Sequence, residues 1–294
     1  MLRERSAKPR VSIVRAGYTQ SIYDTVRRLL VEHRVDVRGK RVVIKPNLVE
    51  FDPGTTINTH PMLVHAAFEG FRALGAADVR IAEGPGHRRV TLDLADAAGY
   101  FETIPHFEDH FTDLNLDDVT QVLLRDPFSR LTSLYFPNTA LDADLLVSLP
   151  KMKTHHWVGA TLSMKNFFGL VPGGIYGWPK NVLHWAGIDE CIADFHAAFP
   201  RHFAIVDGVV GMEGNGPIQG NPKHVGVLVA GQDMTAVDAT CCRIMRINPS
   251  VIRYLRLAAG PSRLEEQNIL QIGEAVQNVH TPFELIEPFQ NIRL

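Results

Sequence analysis

Short apolar runs alternate along the N-terminal half of the chain with segments whose apolar residues recur about every 3.6 positions. Strands are predicted at residues 11–15, 41–48 and 78–84, and helices at residues 21–32 and 61–74. We expect Asn58 or Thr59 to cap the second helix. This strand–helix–strand order predicts a parallel sheet with right-handed crossovers.

The C-terminal half continues the pattern and adds a hairpin. Residues 122–125 and 131–136 flank Asp126-Pro127 and predict two antiparallel strands. Further strands are predicted at residues 143–149, 203–208, 224–231 and 268–273, and helices at residues 187–199, 233–247 and 251–259. Residues 209–217 are glycine-rich, and we interpret them as a loop that carries Glu213.

These elements together predict an α/β fold. We expect a mostly parallel sheet flanked by helices in Rossmann-like layers, with the β-hairpin as an insertion. The chain contains no internal repeat and no linker long enough to mark a border. We therefore predict one domain over residues 1–294, or alternatively two lobes at about residues 1–140 and 141–294.

The overall charge of the chain adds little to this picture. The formal net charge is -2 at pH 7, so we expect no nucleic-acid partner. No apolar run approaches the roughly 20 residues that span a bilayer. Residues 1–10 are charged and do not resemble a secretory signal. We therefore expect no membrane partner and a cytoplasmic location.

The three cysteines limit the metal chemistry of the chain. They are Cys191, Cys241 and Cys242, and they form no Cys-x-x-Cys pair. A disulfide framework and a four-cysteine zinc or iron–sulfur site are excluded on this chain alone. The cofactor is otherwise open, and a divalent metal held by other ligands is possible.

Residues 149–184 concentrate positive charge among apolar residues and glycines. The basic residues are Lys151, Lys153, Lys165, Lys180, His155, His156 and His184. The stretch contains no acidic residue, and the next one along the chain is Asp189. Cations held among aromatic side chains need a compensating partner, and an anionic ligand is the simplest one. We interpret this stretch as the positively charged wall of an active site.

Polar residues also follow two of the predicted strands. Lys45 and Asn47 end one strand, and ligands of open α/β sheets bind at the carboxyl ends of strands. His87 lies in a glycine loop after the next strand, before a helix at residues 92–98 that we expect Thr91 to cap. The alternative is that Lys45 and His87 simply face solvent.

These positions suggest roles for the polar side chains. We predict Lys165, Lys153, His155 and His184 as catalytic residues, and Lys45, Asn47, Lys151, Asn166, Lys180 and His87 as substrate-binding residues. A lysine packed among aromatic rings and other cations has a pKa lowered toward neutrality, which suits a base or a Schiff-base nucleophile. Alternatively, a divalent metal would be held by His155, His184, Asp207 and Glu213.

A set of short motifs resembles the DUF362 family over about residues 11–273. The motifs include Lys45-Pro-Asn47, Pro150-Lys-Met-Lys-Thr-His155, Met164-Lys-Asn-Phe-Phe-Gly169, Val206-Asp-Gly208 and Met212-Glu-Gly-Asn-Gly-Pro217. The resemblance implies no particular reaction, because the general activity of that family is not established. Some members carry ferredoxin-like cysteine clusters. This chain lacks those cysteines, so an iron–sulfur cluster is not expected on it.

A more distant resemblance is to the N-terminal part of the lactate racemase family, which uses a nickel-pincer nucleotide. Gly86-His-Arg-Arg-Val-Thr91 is similar to that family's Gly-x-His-Arg-x-x-Thr loop, with one residue fewer. The resemblance implies that Lys165 would hold a cofactor or substrate and that His184 could ligate a metal. The chain departs by having Ala160-Thr-Leu-Ser-Met164 where that family has Ser-Gly-Gly before the lysine. We therefore predict a related scaffold and not the nickel cofactor.

The sequence thus predicts an enzyme that acts on a small carboxylate or phosphate. The reaction would be proton transfer, isomerisation or carbon–carbon bond chemistry, with or without a metal. The alternative is a non-catalytic anion- or metal-binding protein or a redox partner. The substrate and the oligomeric state do not follow from the sequence.

Overall fold

Apolar strands and amphipathic helices assemble into a layered α/β structure, which a computed structural model describes for residues 8–294. Its strands are β1 (Arg10–Arg15), β2 (Arg41–Pro46), β3 (Asp78–Glu83), β4 (Phe111–Asp113), β5 (Val119–Leu123), β6 (Ser133–Pro137), β7 (Leu145–Leu149), β8 (Lys151–His155), β9 (Gly159–Thr161), β10 (His202–Asn215), β11 (Gln219–Gly231) and β12 (Leu270–Gly273). The prediction that residues 1–10 are not a secretory signal falls largely on residues 1–7, which lie outside the described residues.

The α-helices are α1 (Ser21–Glu32), α2 (Pro61–Ala73), α3 (Thr91–Ala97), α4 (Tyr100–Thr103), α5 (Phe107–His110), α6 (Asn138–Leu141), α7 (Ser163–Asn166), α8 (Gly173–Tyr176), α9 (Asn181–Ala198), α10 (Met234–Ile244), α11 (Arg253–Ala259) and α12 (Val276–Val279). Short 3-10 turns lie at Phe167–Gly169, Pro249–Val251, Pro261–Leu264, Glu266–Asn268 and Glu287–Ile292. None of the helices within residues 8–294 is long and apolar enough to cross a membrane.

In this part of the chain, ten strands form one sheet. Their order is β12-β1-β11-β10-β7-β2-β3-β4, with β8 beside β10 and β9 beside β8. Strands β4, β3, β2, β7 and β10 are parallel, whereas β11 is antiparallel to both β10 and β1. The largely parallel sheet confirms the predicted fold class. Strands β5 and β6 form the separate antiparallel hairpin that was predicted as an insertion.

Alternate residues of each central strand pack on opposite faces of the sheet, as the strand period of two requires. In β2, Val42 and Ile44 join the core that α1 and α2 cover, and Val43 joins the core that α10 covers. In β7, Val147 and Leu146 divide in the same way. Because both faces are buried, a ligand meets this sheet at the ends of its strands.

Strands from both halves of the chain pair within the sheet. Strand β2 lies beside β7, and β1 lies between β11 and β12. The lobes considered at residues 1–140 and 141–294 therefore share one sheet.

Residues 209–217 were predicted as a loop, and this is wrong, because they continue strand β10 as far as Asn215. They pair with β11 almost throughout. Glycine is needed here because β8 crosses close by. A Cβ on Gly211 would lie 2.6 Å from the carbonyl oxygen of Met152. Gly211 therefore permits two backbones to approach each other within a strand, whereas Gly216 lies in the turn between β10 and β11.

Two predicted helix caps are also wrong. His60 caps α2, and its ring nitrogen accepts a hydrogen bond from the Met62 backbone N–H at 3.2 Å. The hydroxyl of Thr59 donates instead to the Leu149 carbonyl at 2.6 Å, which ties the start of α2 to β7. Thr91 is the first residue of α3 and provides no cap.

Several helices also begin or end at residues other than those predicted. The helix predicted at residues 187–199 begins earlier, at Asn181, and Gly187 interrupts it with a φ of 112°. The helices predicted at residues 233–247 and 251–259 are shorter, at Met234–Ile244 and Arg253–Ala259.

We predict that Gly211→Ala lowers the free energy of unfolding by about 1–3 kcal/mol, because the new methyl group meets a backbone atom that cannot rotate away. Gly17→Ala is the matched control, since the nearest atom to a Cβ there is 3.9 Å away. Urea unfolding followed by circular dichroism measures both changes. Equal stability of the two variants would contradict the close crossing of β8 and β10.

Candidate anion-binding site

A cavity of about 360 Å³ lies where the carboxyl ends of β2 and β3 meet β8. The predicted site residues that line it are Lys45, Asn47, His87, Lys153, His155, Lys165, Asn166, Lys180 and His184. Helix α7 carries Lys165 and Asn166, and α9 carries His184. The structure therefore brings the strand-end residues and the basic stretch of residues 149–184 to one place.

Lys45 and Glu83 form a buried ion pair in the lining of this cavity. The Lys45 Nζ is 2.6 Å and 2.7 Å from the two carboxylate oxygens of Glu83. The parallel pairing of β2 and β3 brings both side chains to the same edge of the sheet. The backbone N–H groups of Leu48 and Gly84 also donate to the carboxylate. Glu83 thus has four hydrogen bonds and little capacity left for a ligand.

The backbone at Gly169 passes directly over this ion pair. A Cβ at this position would lie 2.5 Å from the Lys45 Nζ and would also collide with the Glu83 carboxylate. The turn Phe167–Gly169 can therefore close over the pair only because its last residue has no side chain.

Lys153 and Lys180 are fully buried, and within residues 8–294 neither has a carboxylate partner. Lys153 donates to the carbonyl oxygens of Ile57 at 2.9 Å and Pro217 at 3.1 Å. Lys180 donates to the carbonyl oxygen of Gly84 at 2.8 Å. Burial lowers the pKa of Lys180 to about 7 and the pKa of Lys153 well below its ordinary value. Carbonyl dipoles alone hold both amines in place.

Lys165 is the lysine of the cavity lining that packs on an aromatic ring. Its Nζ lies 4.0 Å from the centroid of the Phe168 ring, in a cation–π contact. Burial, and then repulsion from Lys45, lower the pKa of Lys165 to about 7. Amine and ammonium therefore coexist near neutral pH, and Lys165 can accept or donate a proton.

Asp238 fixes the turn of helix that carries Lys165. Its carboxylate accepts hydrogen bonds from the backbone N–H groups of Ser163 at 2.8 Å and Met164 at 3.0 Å. The Ser163 hydroxyl donates to it as well, at 2.5 Å. Asp238 is completely buried on α10, and this burial raises its pKa to about 7. A carboxylate on another helix thus holds the start of α7.

Two histidines of the cavity, His155 and His184, are neutral at pH 7. Burial, and then repulsion from Lys165, lower the pKa of His184 to about 4 and the pKa of His155 well below its ordinary value. The His155 Nδ1 accepts a hydrogen bond from the Trp157 backbone N–H at 3.0 Å. His184 packs against the rings of Trp157 and Phe168. The Nε2–H of His155 is therefore left as a hydrogen-bond donor, whereas His184 can donate, accept or take up a proton.

A family model described as a domain of unknown function, DUF362, matches residues 42–243. The chain belongs to the DUF362 family. The match covers most of the chain, including all of the cavity residues that were predicted from the sequence. The family predicted from the motifs is confirmed.

Similar proteins include one curated relative and two solved structures. A thylakoid-associated protein of Synechocystis sp. is 28% identical over an alignment of 240 residues that covers 77% of this chain and 71% of that protein. The lactate racemase apoprotein from Thermoanaerobacterium thermosaccharolyticum is 14% identical with a TM-score of 0.48, over 81% of this chain and 57% of that chain. A Thermotoga maritima protein is 14% identical with a TM-score of 0.39, over 76% of this chain and 57% of that chain.

Lys151 and Asp207 were predicted for the site, but they do not line this cavity. They pair with each other in a second buried ion pair, with the Lys151 Nζ 2.7 Å from Asp207 Oδ2. The Tyr18 hydroxyl donates to the other Asp207 oxygen at 2.8 Å, and the His60 backbone N–H donates to Asp207 at 3.0 Å. Asp207 is therefore used to hold the start of α2, and Lys151 neutralises it.

Glu213 also lies outside the cavity lining. Its carboxylate pairs with Lys223 at 2.9 Å and accepts a hydrogen bond from the Glu284 backbone N–H at 2.8 Å. Of the four predicted metal ligands, only His155 and His184 share the cavity. Within residues 8–294, no group of three or more histidine, cysteine, aspartate or glutamate side chains is arranged to hold a metal ion.

Sequence reasoning missed three residues that shape the site. Glu83 falls within the strand predicted at residues 78–84 and was not recognised as the partner of Lys45. Its position at the carboxyl end of an apolar strand was a signal that it lies near the site, but its pairing with Lys45 depends on which strands are neighbours. Gly169 and Thr161 gave no comparable signal, because their importance comes from contacts with residues distant in the sequence.

We predict that Glu83→Gln lowers the free energy of unfolding by about 3–5 kcal/mol, since the change leaves the buried Lys45 ammonium without its counter-charge. Glu274→Gln is the control, because Glu274 pairs with Arg15 at the surface and such pairs contribute about 0–1 kcal/mol. Chemical denaturation compares the two variants with the parent protein. A loss for Glu83→Gln no larger than that for Glu274→Gln would disprove the role assigned to the pair.

We also predict that stability rises with pH between about 7 and 9, because Lys165 and Lys180 have a pKa of about 7 in the folded protein and 10.5 as the ordinary value. In this window the unfolded chain binds more protons, so deprotonation favours the folded state. His184, with a pKa of about 4, and Asp238, with a pKa of about 7, act mainly below this window. Melting temperatures at constant ionic strength should therefore increase by several degrees.

Matched variants test whether the cavity lysines cause this increase of the melting temperature with pH. Lys165→Met and Lys180→Met should each reduce the increase, because each removes one titrating amine. Lys40→Met should leave it unchanged, since Lys40 lies at the surface and pairs with Asp36. An identical slope in the parent protein and all three variants would show that the cavity amines do not titrate there.

Proposed function

We propose that this DUF362 protein is an enzyme that binds a small carboxylate or phosphate in the cavity and uses Lys165 in the reaction. One observation carries the proposal. The lining of the cavity contains four lysines and a single carboxylate, Glu83, whose oxygens are already occupied. An anionic ligand would supply the compensating charge.

The lysines of the cavity have different roles in this proposal. Lys153 and Lys180 are held by carbonyl groups and bind the anion. Lys165, with a pKa of about 7, removes a proton from the substrate or adds to its carbonyl group. The reaction class is then proton transfer, isomerisation or carbon–carbon bond chemistry. A metal-assisted version would use His155 and His184, the predicted ligands that line the cavity.

We predict that Lys165→Met folds normally but binds inorganic phosphate and small carboxylates about tenfold or more weakly, because one ammonium donor is lost. Isothermal titration calorimetry at constant ionic strength gives the dissociation constants. Lys40→Met is the matched control, since it removes a surface lysine of equal charge. Unchanged affinity in the Lys165 variant would contradict the proposed site.

Turnover is tested with the same variant. The carboxylates and phosphates that bind are incubated with the protein in D₂O, and mass spectrometry detects exchange of carbon-bound hydrogen or conversion to a new compound. The enzyme proposal expects exchange or conversion with the parent protein and loss with Lys165→Met. Tight binding without any exchange or conversion across the bound set favours the alternative, a non-catalytic anion-binding protein.

The location and the partners of this protein are also part of the proposal. We propose a cytoplasmic protein whose partner is a small anion, without a nucleic-acid or membrane partner. The curated relative is named as thylakoid-associated, so cell fractionation is the informative test. Recovery of this protein with the membrane fraction would contradict the cytoplasmic location.

A further inference from the structure

Two residues that line the cavity carry acceptor atoms without a donor. The side-chain oxygens of Asn47 and Asn166 are buried, and no group within residues 8–294 donates a hydrogen bond to either. The two residues are only 7% and 3% exposed. Buried carbonyl oxygens are rarely left unpaired, because the lost hydrogen bonds to water are not replaced. These two oxygens therefore point to donors from outside the chain.

The orientation of Asn166 is fixed by its other contacts. Its side-chain N–H₂ donates to the Lys45 carbonyl oxygen at 2.9 Å and to the Ser148 hydroxyl at 3.1 Å. A flipped amide would face the Lys45 carbonyl with its own oxygen, so the assignment of nitrogen and oxygen is determined. The unpaired atom is therefore an acceptor and cannot serve as a donor.

Two further buried groups of the lining have no hydrogen-bond partner within residues 8–294. They are the Thr161 hydroxyl and the His184 Nδ1. Thr161 stands opposite Lys153 in the pairing of β8 and β9. The cavity therefore combines amines that require an acceptor with several polar atoms that can take up hydroxyl groups. A simple anion such as phosphate or acetate satisfies only the amines.

We propose that the ligand of this cavity is a polyhydroxylated anion, that is, a sugar acid or a sugar phosphate. This inference rests on the proposed function, because the anionic group of the ligand is the one that the lysines bind. Hydroxyl groups are favoured as the donors over amino groups, since an ammonium would be repelled by Lys153, Lys165 and Lys180. The Asn166 oxygen and the separate unpaired polar groups of Asn47 and Thr161 together call for more than one hydroxyl group, and a cavity of about 360 Å³ accommodates a molecule of this size.

Matched pairs of ligands test the proposal. Gluconate is compared with hexanoate, and ribose 5-phosphate with pentyl phosphate, by isothermal titration calorimetry at pH 7 and constant ionic strength. Each pair keeps the anionic group and the number of carbons and differs in its hydroxyl groups. We expect at least one hydroxylated member to bind tenfold or more tightly than its partner. The pair that shows this preference identifies the anionic group as carboxylate or phosphate.

Variants then show which groups recognise the hydroxyls. Asn47→Leu and Thr161→Val replace unpaired polar groups by apolar groups of similar size. They should reduce the preference for the hydroxylated ligand tenfold or more and leave the ligand-free melting temperature unchanged or higher, whereas a purely structural role would lower it. Asn278→Leu, on the surface, is the control and should keep the preference.

The outcomes separate this inference from the proposed function. Equal binding within both pairs overturns the polyhydroxylated ligand and leaves the anion site standing. A preference that Asn47→Leu and Thr161→Val do not alter also overturns the inference, because other groups would then recognise the hydroxyls. Failure of all four ligands and of inorganic phosphate to bind overturns the anion site itself, and the inference with it.

Discussion

The ion pair between Lys45 and Glu83 is the interaction on which the site depends. Both side chains are almost completely buried at the end of adjacent parallel strands, and the backbone of Gly169 lies against them. Removing either partner would leave an unpaired charge in the interior, which costs far more stability than the loss of a surface pair. The pair thereby joins β2, β3 and the turn that follows α7, and it fixes one side of the cavity.

The same pair explains why the carboxylate of the lining does not neutralise the other lysines of the cavity. Glu83 is the single carboxylate among its lining residues, and Lys45 and two backbone N–H groups already occupy that carboxylate. The other lysines of the cavity are left with carbonyl oxygens or an aromatic ring as neighbours. Their lowered pKa values follow from this arrangement, because burial and mutual repulsion disfavour the charged form. An anion would restore the charge balance that the chain itself does not provide.

The sequence was sufficient for the layered fold and for much of the cavity lining. Strands buried on both faces are continuous apolar runs, and Lys45 and Asn47 lie where such a run ends. The partner of Lys45 could not be predicted, because it depends on which strands are neighbours and in which register. For the same reason Lys151 and Asp207, 56 positions apart along the chain, were assigned to the site although they neutralise each other elsewhere. The glycines of residues 209–217 misled the prediction, since close backbone contact and loops both require glycine.

The protonation of Lys165 gives the most direct test of the central claim that the cavity holds uncompensated amines awaiting an anion. Nuclear magnetic resonance of ¹³Cε-labelled lysine, assigned with Lys165→Met, measures the pKa of this side chain with and without bound phosphate. The account predicts a pKa of about 7 in the free protein and a higher value when phosphate is bound. A pKa near the ordinary 10.5 that phosphate does not change would contradict it.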